Sequence, residues 1–296
     1  MAYRAVEKHP SGKAIITFNP LKARQSEIPM RLRCGKCIGC RLDNIASWSL
    51  RCTHEAKMHQ ASSFITLTYD DEHLPPDYSV NLRTFQLFMK RLRKELPMKI
   101  KFYGCGEYGD LENRPHYHAL IFGWDFHNDR KLHKVTKDGP LYTSPTLNKV
   151  WPYGFNTVGQ VTYKSAGYTA GYLKTRSAEN NSYTTNKYTR THPITSDVVR
   201  VEPEFGTMSG GLGLSFIQKF KSDYATSDFF VVDGQQVAVP RYYTLKLTEE
   251  EQSKIKTKRQ ISKQRIKPAK NKTKERLAVR ETVKKAQLKA ASKRTL

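Results

Sequence analysis

The chain has 296 residues, with 51 Lys and Arg against 27 Asp and Glu, a formal net charge of +24. That length suits one large domain or two small ones, and the charge draws polyanions, nucleic acid first and an acidic membrane as the rival. No apolar run reaches the about 18 residues of a spanning helix and the N-terminus lacks a signal-peptide apolar core. The five cysteines of what reads as a cytosolic chain are therefore expected to be reduced.

Residues 1–33 predict one short strand, Ala14–Phe18, ended by Asn19–Pro20. In the run RCGKCIGCRLD, Cys34, Cys37 and Cys40 have C-x2-C-x2-C spacing; Cys52 lies twelve residues on, followed by His54. Glycine-bearing loops let thiolates converge on one ion, and zinc takes four such ligands. A structural zinc on Cys34, Cys37, Cys40 and Cys52 is one reading, and metal-free thiols are the other. An iron–sulfur cluster needs its fourth cysteine nearer.

Residues 41–60 predict a helix, with Ile45, Trp48, Cys52 and Ala56 on one face. Phe64–Tyr69 is β-branched, aromatic and alternating, a strand that ends in Asp70, Asp71 and Glu72. Asn81–Leu96 is the clearest helix, with the stripe Leu82, Phe85, Met89, Leu92 and Leu96, a cap at Asn81 and Pro97 beyond its end. Its basic face is either solvated or turned to DNA.

Lys99–Tyr108 and His116–Phe122 predict two strands of a hairpin around the turn Gly109–Pro115. His116 and His118 then point to one face, with Cα atoms roughly 6.5–7 Å apart. They read as a metal-binding pair or as two satisfied strand-end histidines. Antiparallel pairing brings Glu107 beside them; whether it shares their face depends on the turn register.

Residues 124–150 read as a polar loop with weak helix at Thr146–Val150, and Phe155–Tyr163 as a fourth strand with Phe155, Val161 and Tyr163 on one side. The segment KSAGYTAGYLKTR reads as a helix. Tyr168 and Tyr172 share a face at i,i+4, about 5–6 Å apart, and Lys164 and Arg176 extend it. Ala166, Thr169, Ala170 and Leu173 form the opposite side, small enough to lie on a sheet. Gly167 and Gly171 each weaken the helix by up to ~1 kcal/mol, so packing must hold it. Among sixteen tyrosines such a pair says little alone.

Residues 177–200 are a polar loop, MSGGLGLSFIQKF a glycine turn before a short helix, and Phe229–Leu247 a hairpin turning at Asp233–Gly234. From Glu249 onward, seventeen Lys and Arg meet five Glu, a net +12 that is half the charge of the chain. This basic tail, helical or disordered, binds phosphates without reading sequence or merely solubilises.

FITLTY, GEYGDLENRPHYHALIFG, AGYTAGYLK and CGKCIGCR in this order resemble the HUH endonucleases, and among them the two-tyrosine replication initiators of gokushovirus-type microviruses. The resemblance covers nearly all of the chain except the tail. It implies an α+β, HUH-type (RRM/ferredoxin-like) central antiparallel sheet with flanking helices plus the basic C-terminal tail. The implied organisation is an N-terminal region 1–60, an endonuclease core 61–200, an extension 201–248 and a tail 249–296.

The resemblance maps His116 and His118, with Glu107, onto the metal ligands, and Tyr168 and Tyr172 onto the nucleophiles. It implies nicking and rejoining through a 5′-phosphotyrosine, with Mg²⁺ or Mn²⁺. Two imidazole ligands favour Mn²⁺. The family's lysine three residues past the second tyrosine is Thr175 here; Lys174 stands one residue earlier, and Lys164 or Arg176 is better placed sterically. Expected partners are single-stranded and duplex origin DNA, with a host helicase and polymerase in the bacterial cytoplasm and no membrane. A transposase or plasmid initiator of the same chemistry is the enzymatic alternative; a non-catalytic zinc-bearing nucleic-acid binder is the other.

Overall fold

The structure is a computed structural model that describes residues 2–8, 14–17, 30–31, 35, 37–109, 113–175, 188–222, 229–255, 257 and 273–293. Its centre is an antiparallel sheet of seven strands: β4 Ser62–Thr68, β5 Lys101–Tyr108, β6 Pro115–Phe122, β7 Lys131–Thr136, β8 Gly139–Thr143, β9 Asn156–Gly159 and β12 Phe205–Met208. Their order across the sheet is β12-β5-β6-β4-β9-β8-β7. The predicted α+β class with a central antiparallel sheet is what the chain forms.

Alternation divides the sheet into two faces. Ile65 and Leu67 of β4 and Tyr117, Ala119 and Ile121 of β6 enter a core under helix α2, Leu82–Glu95, whose Phe85, Phe88, Met89 and Leu92 are buried there. The Asn81 side chain accepts from the backbone N–H of Arg83 and Thr84, the predicted cap. The opposite residues, Leu120 and Phe122 of β6 and Tyr103 of β5, pack with Ala166 and Ala170 of helix α4, Tyr163–Thr175, and Cys52 of helix α1, Ile38–Ala56. Both faces of the central strands are thus buried, which explains their continuous apolar runs.

Several elements differ from expectation. Residues 124–150 hold the β7–β8 hairpin where a polar loop was expected, while helix α3, Pro145–Val150, forms where a weak helix was predicted. The hairpin escapes periodicity because all of its first strand up to Val135 is exposed, so no face had to be apolar. Phe155–Tyr163 shortens to Asn156–Gly159, because Thr162 and Ser165 exchange side-chain and backbone hydrogen bonds that start α4. Residues 188–200 form the hairpin β10 Thr189–Thr191 and β11 Val198–Arg200.

After β12 the glycine turn leads into helix α5, Leu214–Lys219. The Asp233–Gly234 turn joins β13 Phe229–Val232 to β14 Gln235–Ala238, with φ of 49° and 73° at its two residues, both in the region a type I′ turn needs. Near the N-terminus β1 Ala2–Lys8, β2 Ala14–Thr17 and β3 Met30–Arg31 make a separate sheet.

The C-terminal part is fastened to α1. Arg51 lies between the rings of Trp48 and Tyr242, 4.0 and 3.8 Å from their centroids, and donates to the Leu212 carbonyl. The buried Glu55 accepts from Lys101 Nζ at 2.8 Å, His59 Nε2 at 3.0 Å and Gly213 N–H at 2.7 Å. Burial alone would raise its carboxyl; these bonds outweigh it and hold the pKa at about 2. Ile255 is buried with Ile217, Tyr243 and Leu247, so the basic segment's first residues pack on the body. A helix at Lys274–Lys293 follows.

Candidate metal centre and tyrosine helix

The register of β5 and β6 decides which face Glu107 takes. Glu107 stands directly opposite His116, and Cys105 opposite His118. Directly paired residues share a face, so the carboxylate and both imidazoles project together on the α4 side. His116 Nε2 is 2.8 Å and His118 Nε2 is 3.0 Å from Glu107 Oε1. Among the described residues, this is the one group of His, Cys, Asp and Glu whose ligand atoms, all within 4.8 Å of one another, are suited to hold a metal ion.

The surrounding hydrogen bonds orient the rings. His116 Nδ1 lies 3.0 Å from the Arg114 carbonyl, which only accepts, so Nδ1 carries a proton and donates. The Nε2 of His116 faces the Glu107 carboxylate oxygen, where either a proton on Nε2 or a cation between the two atoms satisfies both. His118 Nδ1 is 3.0 Å from Thr66 Oγ1, and burial lowers the pKa of this ring, favouring the neutral form that ligates metals.

Glu107 is fully buried, and its Oε2 has no hydrogen-bond partner among the described residues. An unpartnered buried carboxylate oxygen is costly. Two nitrogens and a carboxylate suit a divalent ion with positions left for other ligands. The residues present fit such an ion.

Tyr168 completes the site from the helix. Its ring meets His118 edge-on at 5.1 Å between centroids and Phe64 at 6.4 Å, while Phe64 stacks on His118 at 5.3 Å. The Tyr168 side chain is 44% exposed, so a phenol beside the ligands stays open to solvent.

The helix reaches this position through small residues. Ala166, Thr169 and Ala170 are wholly buried, as predicted for its sheet side. Gly167 and Gly171 face α1: a Cβ on Gly167 would come within 3.0 Å of Ser49 Oγ, and one on Gly171 within 3.8 Å of Ile45 Cδ1. At 167 the missing Cβ permits the close approach to Ser49, whereas position 171 leaves room for one in ordinary contact.

Lys164 lies one turn before Tyr168, and its Nζ is 3.1 Å from Asp138 Oδ1 at the β7–β8 tip, both exposed. Tyr172 and Lys174 lie on α4 by backbone position; Cys34 and Arg176 fall outside the described residues. Cys37 is exposed at the N-cap of α1 and Cys40 is half-buried in its first turn.

The structure corrects the assignment of Cys52. Twelve helical residues carry it about 18 Å from Cys40, and its thiol is wholly buried against Tyr103, Leu120 and Phe122. Burial pushes the thiol pKa far above its usual range. It is a core residue, and the cysteine run does not converge with it. Thr66, Phe64 and the Arg114 carbonyl were not singled out from sequence; the alternation in FITLTY, which aims Phe64 and Thr66 at the histidine face, was the available signal.

Comparisons with known proteins give the chain a family. The family of ORF2-type replication-associated proteins matches residues 62–177, a span holding Glu107, both histidines and both tyrosines. The replication-associated protein VP4 of Bdellovibrio phage phiMH2K is 33% identical over 238 residues, 77% of this chain and 71% of that protein. The replication-associated protein ORF2 of Spiroplasma virus 4 is 32% identical over 237 residues, 75% of this chain and 69% of that protein. ORF4 of Chlamydia phage 1, also replication-associated, is 27% identical over 251 residues, 82% of this chain and 60% of that protein. No solved structure matches the chain. With two phage relatives sharing about a third of their residues over most of both chains, the chain belongs to the replication-associated proteins of microvirus-type single-stranded DNA phages.

Proposed function

We propose that this protein nicks and rejoins DNA to begin and end rolling-circle replication of a circular phage genome. The observation that carries the reading is the Tyr168 ring against His118, with His118, His116 and Glu107 converging beneath it. The Tyr168 phenol gives up its proton and its oxygen attacks the scissile phosphorus, the P–O3′ bond breaks, and the departing 3′-oxygen takes up a proton, leaving the balance unchanged. The 5′-phosphate remains on tyrosine as an ester, and reversal restores the DNA link without ATP. Glu107, His116 and His118 would hold a divalent ion, which would supply Lewis acidity toward the phosphate. Mn²⁺ is expected to serve at least as well as Mg²⁺.

A phenol needs help to ionise near neutral pH. Lys164, Lys174 and Arg176 are the cationic candidates for that help, and Lys164 must first leave Asp138. Tyr172 provides a second nucleophile while the first holds a strand, which suits a later cut that releases a unit genome. No helicase motif is visible in the sequence, so a host helicase opens the duplex origin and a host polymerase extends the 3′-OH, in the host cytoplasm. A structural zinc on Cys34, Cys37 and Cys40 remains part of the proposal, without Cys52.

The test is a labelled single-stranded origin oligonucleotide incubated with the protein and Mn²⁺, followed by denaturing electrophoresis. A protein–DNA band that resists denaturation is expected. It disappears when Tyr168 and Tyr172 are both changed to Phe, and in His116→Ala, which still binds DNA. A band surviving the double change identifies another nucleophile, and undiminished cleavage by His116→Ala removes the metal assignment.

A further inference from the structure

The row of the sheet that holds the metal ligands continues past them. Glu107 of β5 pairs with His116 of β6, and His116 pairs with Thr68 of β4. Leu67 pairs with Asn156, so the residue beside Thr68 is Phe155, whose carbonyl accepts from Thr68 N–H at 2.8 Å. Residues paired in this way share a face. Phe155 therefore projects on the side of the ligands, two strands from His116, about 10 Å at the ordinary strand spacing.

Its surroundings hold the backbone and leave the ring open. Asp70 N–H donates to the Tyr153 carbonyl at 3.0 Å, on the other side of Gly154 from the Thr68 bond. Gly154 has φ 143°, and a Cβ there would lie 2.3 Å from Asp70 N, so no other residue fits between these bonds. Yet the Phe155 side chain is 51% exposed. Its ring meets that of His133 on β7, 5.3 Å between centroids at 57°, and His133 is itself exposed between Lys131 and Lys134, both exposed.

We propose that Phe155 and His133 form a platform on which a nucleobase of single-stranded DNA stacks while its backbone leads to the metal centre. The inference deepens the nicking function proposed above and rests on it for the direction of the strand. An aromatic face accepts any base, and Lys131 and Lys134 supply the charge that the phosphates require. Continuity with the ligand row and this charge favour a nucleic acid over a protein partner for the exposed ring. Phe155 acts as a positioning residue, since it fixes where the strand crosses the sheet.

The experiment measures binding of fluorescein-labelled single-stranded oligothymidylate by anisotropy in EDTA, in a Tyr168→Phe, Tyr172→Phe background that cannot cleave. Phe155→Ala is expected to weaken binding about tenfold and Phe155→Trp to preserve it. Phe155→Leu, which keeps apolar bulk without a π-face, should resemble the alanine variant. On a backbone of abasic sites the difference between Phe155 and Ala should vanish. The platform is overturned if Phe155→Ala and Phe155→Leu both bind like the parent, or if the loss persists on abasic DNA, as a general distortion or a protein-docking role would give. The two readings fail separately: a covalent adduct with no Phe155 effect removes the platform alone, and a Phe155 effect without any adduct removes the nicking reaction alone.

Discussion

The candidate metal centre is built from residues that alternation and strand pairing bring together, since His116 and His118 are two steps apart on one strand and Glu107 stands opposite the first of them on the next. That much was legible in the sequence, except for the hairpin register. Cys52 was not, because spacing along a chain becomes length along a helix, and the helix carries it into the core. The nearby His54 is also internal, stacked on Phe216 at 3.7 Å with Nδ1 3.1 Å from the Tyr243 hydroxyl. Burial, seconded by the Lys57 charge, lowers its pKa from 6.5 to about 3. Above pH 6.5 the ring is neutral in both folded and unfolded chains and contributes no pH dependence. Below it the unfolded chain takes up a proton that the fold refuses, so stability falls as pH falls, by about 3 kcal/mol at about pH 4. Glu55 adds a further loss as pH drops from 4.5 toward 2. Urea midpoints measured against pH should decline below pH 6.5, and His54→Phe, which keeps the ring stack, should flatten the decline between pH 6.5 and 4.5 while lowering the plateau.

Elements with one buried face were readable, and those without were not. The α2 stripe and its Asn81 cap follow from periodicity. The β7–β8 and β10–β11 hairpins lie largely outside the core and give no such signal. Strand β12 joins the sheet through pairing with β5, far away in the chain, Phe205 opposite Gly106, and local pattern holds no trace of that partner. The packing of α4 on α1 was likewise hidden, although Gly167 and Gly171 record it. Gly167→Val should push α4 off Ser49 and draw Tyr168 away from His118. Covalent adduct formation is expected to fall at least about tenfold, since an ångström-scale misplacement has costs of that order and larger. Oligonucleotide affinity and Mn²⁺ binding should persist, because their residues lie on the sheet; joint loss of all three would indicate collapse of the fold.

At the scale of the molecule, charge and fold are divided. No helix among the described residues is long and apolar enough to cross a membrane. Beyond residue 257 lie fifteen Lys and Arg and two Glu, more than half of the net charge of +24. The described side chains of the terminal helix, residues 275–287, are exposed. Composition alone marked this basic segment; the burial of Ile255 shows that its first residues pack on the body. Deleting residues 258–296 should leave the melting temperature and the adduct chemistry intact while weakening DNA binding. The slope of log affinity against log salt should become shallower by about 0.7 for each single-strand phosphate that the tail no longer neutralises. An unchanged slope would assign the salt dependence to the body.

At the seam between α4 and its two supports, Ala166 and Ala170 meet the sheet and Gly167 and Gly171 meet α1, so the helix's own share of the contact comes from small side chains. Positions four residues apart differ by only about 40° around a helix axis and about 6 Å along it. A slide of one turn would therefore carry the backbone of residue 172 to the station that residue 168 now occupies, with the three ligands left undisturbed on their strands. Under the proposed reaction, the smallest side chains of the helix are what would let each tyrosine in turn meet the same ligand group.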